Sequence, residues 1–310
     1  MPETPRALVL RVNELFHDAE GAAYADVHPE IFDREAQRWK NKFKEVFPNL
    51  PSHRTILDIG CGTGFLGMLV NPHLTLNDTL ICADISQTML DVCRQNLQKA
   101  GIKAQLRFVK MKGEQIALSD ATIDLITLNS VLHHVPDTKA LLETIDRLLK
   151  PGGLLIIGHE PNALFFRGKG LFRQTQFLHY LAPRRLAAAI LRTLGLYGKV
   201  ISSTKPDPIT NAVNKQLFAE GLIQTPLTSH DISQLVDVHS PTAGGLRTDE
   251  GFNPFTLLNP YSNLKLVHTE TYNHLLKLSG KYKALGWYEK LLANIYPKRG
   301  AAFFLVGKKK

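Results

Sequence analysis

Residues 55–67 read TILDIGCGTGFLG. Ile56, Leu57 and Ile59 bracket Asp58 and predict a short buried strand. Gly60, Cys61, Gly62, Thr63 and Gly64 predict a tight turn, with a helix opening near Phe65. Glycine at alternate positions lets such a turn be sharp and lets its backbone come close to a ligand. Dinucleotide-binding loops use G-x-G-x-x-G, whose third glycine would fall at position 65, which is Phe65. The pattern here is G-x-G-x-G preceded by Asp58.

Downstream the chain alternates strands and helices. A helix ending near Val70 leads to a strand over 80–83 closed by Asp84, a position from which a carboxylate can accept both hydroxyls of a bound ribose. The other reading of Asp84, and of Ser86, is a cap for the next helix, residues 86–100. Residues 106–109 predict a third strand and 123–129 a fourth, IDLITLN, running into SVLHHVPD. His133 and His134 thus fall just past a strand's carboxyl end, the edge where open α/β sheets bind ligands. A helix over 138–149 is stopped by Lys150-Pro151-Gly152-Gly153, and LLIIG follows as a fifth strand with His159 and Glu160 at its end.

The G-x-G-x-G loop after Asp58, the acid at Asp84, the D-x-I pattern at Asp124 and the K-P-G-G turn together resemble the class I S-adenosylmethionine (SAM) dependent methyltransferases. The motif set resembles the broad small-molecule group that includes ubiquinone/menaquinone biosynthesis C-methyltransferases and many natural-product O-methyltransferases. The resemblance covers residues 20–162 well, the closing strands by pattern only, and 163–260 not at all. It implies a Rossmann-like α/β fold: a seven-stranded, mostly parallel sheet with helices on both faces, plus a helical insertion between strands five and six. It implies SAM as cofactor and S-adenosylhomocysteine as product. Asp58, Gly60, Cys61, Gly62 and Gly64 would form the cofactor loop, Asp84 would take the ribose, Ile85 would lie against adenine, and Met111, Lys112 and Asn129 would complete the pocket. At Lys112 the chain departs from the family, which places an acid there to accept from the adenine amine. Tyr24, in the segment AAYADVHPEIF, is the candidate to fold over the cofactor, the alternative being simple packing of the helix over 31–47.

Composition narrows the field further. With 310 residues, 44% hydrophobic and 21% charged, the chain can bury a full core. It has no apolar run long enough for a transmembrane helix and no secretory signal pattern at its start. Its three cysteines, Cys61, Cys82 and Cys93, have no metal-ligand spacing and suit a reducing, cytoplasmic location. No metal is expected. A net charge of +9 admits nucleic acid, an anionic membrane or an acidic substrate as partner. The stretch 163–228, rich in aromatic residues and arginine, is expected to form a helical lid over the acceptor; a membrane-surface patch and an ordinary packed cap are the other readings.

The division that follows is a helical cover over 1–50, a cofactor-binding core over 51–162, a lid over 163–228 and completion of the sheet over 229–310. Strand six is expected at 264–270, a helix over 273–296, and the last strand at 302–306. Methyl transfer is mostly a matter of positioning, and a base is needed only where the acceptor must lose a proton. His134, then His133, then Glu160 are the candidates for that base, against the reading that each merely holds the strand end. The acceptor expected is a small or lipid-like metabolite methylated at oxygen or carbon. Asn129-Ser130-Val131-Leu132 stands where amino-methylating nucleic-acid enzymes carry a Pro-Pro motif, so nucleic acid is not favoured. The competing readings are an RNA or protein methyltransferase, motivated by the charge, and a non-catalytic SAM-binding sensor or partner subunit, motivated by Lys112. Nothing in the sequence fixes the oligomeric state.

Overall fold

A computed structural model describes residues 6–21, 35–180, 207–240, 251–276 and 278–310. Tyr24, the first residues of the helix expected over 31–47, and 181–206 of the expected lid lie outside the described residues.

A single sheet organises the chain, with strands β1 (Thr55–Ile59), β2 (Thr79–Asp84), β3 (Gln105–Lys110), β4 (Ile123–Asn129), β5 (Leu149–Pro161), β6 (Leu264–Tyr272) and β7 (Ala302–Lys309). Their order is β3-β2-β1-β4-β5-β7-β6. The first five are parallel, and β7 runs antiparallel to both β5 and β6. The seven-stranded, mostly parallel sheet is therefore as the sequence implied. Strand order reverses between β1 and β4, so the carboxyl ends of these two strands open a crevice.

At the centre of the sheet both faces are buried, which is why β1, β2 and β4 are nearly continuous apolar runs, whereas the edge strands β3 and β6 are half-exposed and mixed. One face packs Ile56, Leu80 and Leu125 under the helices α2 (Ala36–Val46), α3 (Phe65–Val70) and α4 (Gln87–Lys99). The other packs Leu57, Ile81 and Ile126 under α5 (Thr138–Leu148). Ser86 and Asp137 cap α4 and α5 by accepting from Met89 N and Ala140 N. Asp124 holds the strand starts in register: it is buried, accepts from Thr55 N at 2.8 Å and pairs with Lys150 Nζ at 2.8 Å.

Between β5 and β6 the described residues form α6 (Ala163–Phe166), α7 (Lys169–Tyr180), α8 (Pro208–Ala219) and α9 (Ser229–Val236). The last two do not pack on the sheet. Val213, Leu217, Ile232, Leu235 and Val236 instead bury Val9 and Val12 of the first helix, α1 (Arg6–Glu20). Asn13 locks this cap by donating to Leu235 O at 2.8 Å. The single helix expected over 273–296 is broken into Leu278–Lys281, a short turn Lys283–Leu285 and Gly286–Ile295. Asn273 and Leu276 adopt φ of +61° and +54°, which no helix tolerates.

Candidate active site

A cavity opens at the carboxyl ends of β1, β2 and β4. Gly60, Gly62, Asp84, Ile85, Met89, Met111, Asn129 and Ser130 line its sheet side, and Leu10, Asn13 and His17 of α1 close it from above. Its volume is about 110 Å³, and it is partly open to solvent. Small-molecule sites run to roughly 300–1,000 Å³, so a nucleoside would extend beyond this space along the face that α1 covers.

The glycine loop is shaped by what surrounds it. Gly60 and Gly62 have φ of +64° and +50°. A Cβ on Gly60 would stand 2.5 Å from Val131 Cγ2, whereas one on Gly62 would meet nothing within 4 Å and would project into open space. Gly62 N donates to Asp84 Oδ2 and Ser86 N to Asp84 Oδ1, each at 2.9 Å. The Asp84 carboxylate is thus oriented by the loop it faces. Burial pushes its pKa up despite these two bonds.

Across the cavity, Ser130 takes the left-handed conformation, φ +62°, directly after β4. That strain turns the chain into Leu132–His134 and is held by Glu160, which is fully buried. Glu160 accepts from Val131 N at 2.6 Å, Leu132 N at 2.8 Å and His133 N at 3.2 Å, and its Oε2 lies 2.8 Å from His133 Nδ1. Burial alone would raise its pKa; His133 and these N–H donors outweigh that and hold it below the ordinary carboxylate value. Glu160 is a tether, and its lone pairs are spent on the loop.

His134 lines the cavity itself. Its Nδ1 lies 3.0 Å from Val236 O and 3.1 Å from Asp237 Oδ1. Two acceptors at one ring nitrogen place the hydrogen on Nδ1 and leave Nε2 with its lone pair. Although burial opposes it, Asp237 pulls the His134 pKa above 6.5, and His134 pulls the Asp237 carboxyl down to about 2. His133 differs: its Nδ1 is taken by Glu160, and its Nε2 is 3.8 Å from Asp237 Oδ1. His17 of α1 stands edge-on to His134, ring centroids 5.3 Å apart.

Several expected site residues lie elsewhere. Asp58 is buried, accepts from Thr127 Oγ1 at 2.9 Å and does not line the cavity; it shares with Ile56 the face of the sheet covered by α2, α3 and α4. Cys61 turns its side chain under the loop toward Cys82 and Cys93. Gly64 sits at the start of α3, where a Cβ would come within 3.1 Å of Cys93 Sγ. Lys112 is exposed in a tight turn that it closes with Gln115. The acid that reaches the cavity is Glu114, buried, paired with Arg6 and accepting from Asp137 N at 3.1 Å. His159, with φ +58°, leaves the cavity and pairs with Glu35 at 3.3 Å. Asn129 is at the cavity, its side chain fixed by Trp39 Nε1 at 2.7 Å.

Asp237, Glu114, Ser130 and His17 were not singled out from the sequence. Asp237 and His17 arrive on cap helices that the sequence gives no way to dock, whereas Glu114 was legible as an acid next to the departure at Lys112.

Residues 57–157 match the family model described as a methyltransferase domain. A ubiquinone/menaquinone biosynthesis C-methyltransferase of Vibrio vulnificus is 31% identical over 150 residues, 48% of this chain and 56% of that protein. The Coxiella burnetii protein of the same name is 29% identical over 136 residues, 44% of this chain and 54% of its own. The chain therefore spans about half the length of the curated relatives it matches. Among solved structures, an S-adenosylmethionine dependent methyltransferase from Mesorhizobium loti is 17% identical, covering 86% of this chain and 96% of its own, with a TM-score of 0.42.

Proposed function

We propose, from the match of residues 57–157 to a methyltransferase domain, that the chain methylates an acceptor that must lose a proton. The acceptor class is a phenol, hydroxyl or acidic carbon on a small or lipid-like metabolite. The carrying observation is His134, in the cavity, with Nδ1 held by Asp237 and Val236.

The cradle suits SAM. Gly62 leaves open the space that any side chain would fill, Asp84 is aimed at the loop with its backbone bonds already made, and Ile85 and Met111 offer apolar walls. Bound there, SAM supplies an electrophilic methyl group on a sulfonium. Gly60, Gly62 and Asp84 would hold the nucleoside, and Asn129 and Ser130 the far end of the cavity. Glu114 offers the carboxylate that Lys112 lacks.

The protein's own chemistry is then positional. Glu160 fixes Val131 to His133 and so fixes where His134 begins. Asp237 fixes the His134 tautomer, so that Nε2 is the nitrogen able to take a proton from the acceptor as its oxygen or carbon attacks. Asp237 is a positioning residue that also stabilises the imidazolium that forms. Helix α1 covers the reacting groups and excludes water. The relatives' name, ubiquinone/menaquinone biosynthesis C-methyltransferase, favours a quinone-related acceptor methylated at carbon.

The test is methyl transfer from labelled SAM to a panel of phenols, quinols and lipid extracts. Turnover that depends on His134 supports this reading; binding of SAM with no turnover on the whole panel would instead support a sensor.

A further inference from the structure

The three cysteines are far apart in sequence and meet in space. Cys61 belongs to the glycine loop, Cys82 to β2 and Cys93 to α4. All are buried, none is in a disulfide, and their sulfur atoms all lie within 4.8 Å of one another. The spacing argument against a metal site fails here because the ligands come from three elements rather than one loop. Buried thiols pack well on their own as small apolar groups. Three sulfurs brought from three elements to within 4.8 Å of one another are also a ready-made set of soft ligands.

We propose that Cys61, Cys82 and Cys93 form a three-sulfur site for a soft, thiophilic cation of the copper(I) class. Sulfur ligands lie about 2.3 Å from such an ion, which puts three of them about 4 Å apart around it. The structure needs only a small contraction to reach that spacing. Soft thiolates select copper(I), and among the described residues no fourth Cys, His, Asp or Glu ligand atom joins the group to make the tetrahedral set that structural zinc prefers. Each sulfur–metal bond forms as the thiol proton leaves to solvent, with no change of oxidation state.

The site has a consequence for the cavity. Cys61 lies between Gly60 and Gly62, both of which line it. An ion bound to Cys61 ties the glycine loop to β2 and α4, so ion and cavity ligand affect each other's affinity by the same factor.

The experiment is anaerobic titration of the full, reduced chain with copper(I) in competition with a chromogenic chelator. One equivalent should be retained, with thiolate-to-metal charge-transfer absorption, and Cys82→Ala or Cys93→Ala should each weaken retention at least tenfold. Equal retention by either variant, checked as folded by thermal melting, overturns the site. X-ray absorption of the copper-loaded wild type needs no variant. Three sulfur neighbours are expected; nitrogen or oxygen neighbours, as His133, His134 and Asp237 would supply, overturn it.

Discussion

His134 and Asp237 meet at 3.1 Å between Nδ1 and Oδ1, although they belong to different layers of the molecule. His134 follows strand β4 of the sheet, and Asp237 follows helix α9 of the cap. The cap thus contributes directly to the geometry of the catalytic candidate.

That pairing sets the pH dependence. With its pKa raised above 6.5, His134 is protonated at mildly acid pH and cannot act as a base. The rate should therefore climb with pH through a value above 6.5, and in Asp237→Asn this limb should move to lower pH with a reduced plateau. His134→Ala should lose about 100-fold or more in kcat, the usual share of general base catalysis. A flat rate profile between pH 5 and 9, or full activity without His134, would remove the base assignment.

Glu160 is the second test, by stability. Its folded pKa lies below 4.5, so its contribution is present above the unfolded value and lost as pH falls through the folded one. Glu160→Ala removes the acceptor for three N–H groups, that of Leu132 buried and those of Val131 and His133 partly buried, and should cost about 3 kcal/mol or more, since each bond to a charged group is worth roughly 1.5–3 kcal/mol. Urea unfolding at pH 7 checks this. The difference between wild type and variant should shrink as the pH is lowered below 4.

Much of this was legible in the chain itself. Asp84, Gly60 and Gly62 could be placed because one short loop and one strand end carry the ligand edge, and local spacing determines both. Asp58 and Cys61 belong to the same motif, yet alternation along the strand and loop turns their side chains to the opposite face. The broken helix after Asn273 could not be seen, because nine apolar residues at near-helical spacing hide two left-handed positions. Asp237 was invisible for a different reason: the docking of α8 and α9 on α1 is a long-range event with no local mark.

Asp84 should matter for affinity rather than fold. Asp84→Asn keeps the shape but loses the charge, and S-adenosylhomocysteine should bind about 10- to 100-fold more weakly, as the loss of one charged hydrogen bond would predict. Isothermal calorimetry decides, and unchanged affinity would refute the ribose assignment.

Helix α1 should act as a gate. Asp18 ties it to the sheet layer by accepting from Ser86 Oγ and from Thr88 N, the latter at 3.2 Å. Asp18→Ala should loosen the cover and let S-adenosylhomocysteine associate several-fold faster in stopped-flow fluorescence. Ser86 also caps α4, so the helix content of the variant must be compared with wild type by circular dichroism. An unchanged association rate in a folded variant would mean that α1 does not limit entry.

The most direct measurement is calorimetric titration of the wild type and of Gly62→Arg with S-adenosylhomocysteine, with NAD as control. The substituted side chain would enter the open space above Gly62, where a Cβ meets nothing within 4 Å; because φ is +50° there, the variant carries some backbone strain, and its fold is checked by thermal melting before binding is compared. The account predicts micromolar binding of S-adenosylhomocysteine to the wild type, none of NAD, and none of either to a folded Gly62→Arg. Equal binding of S-adenosylhomocysteine to both proteins, or none to the wild type, would contradict it.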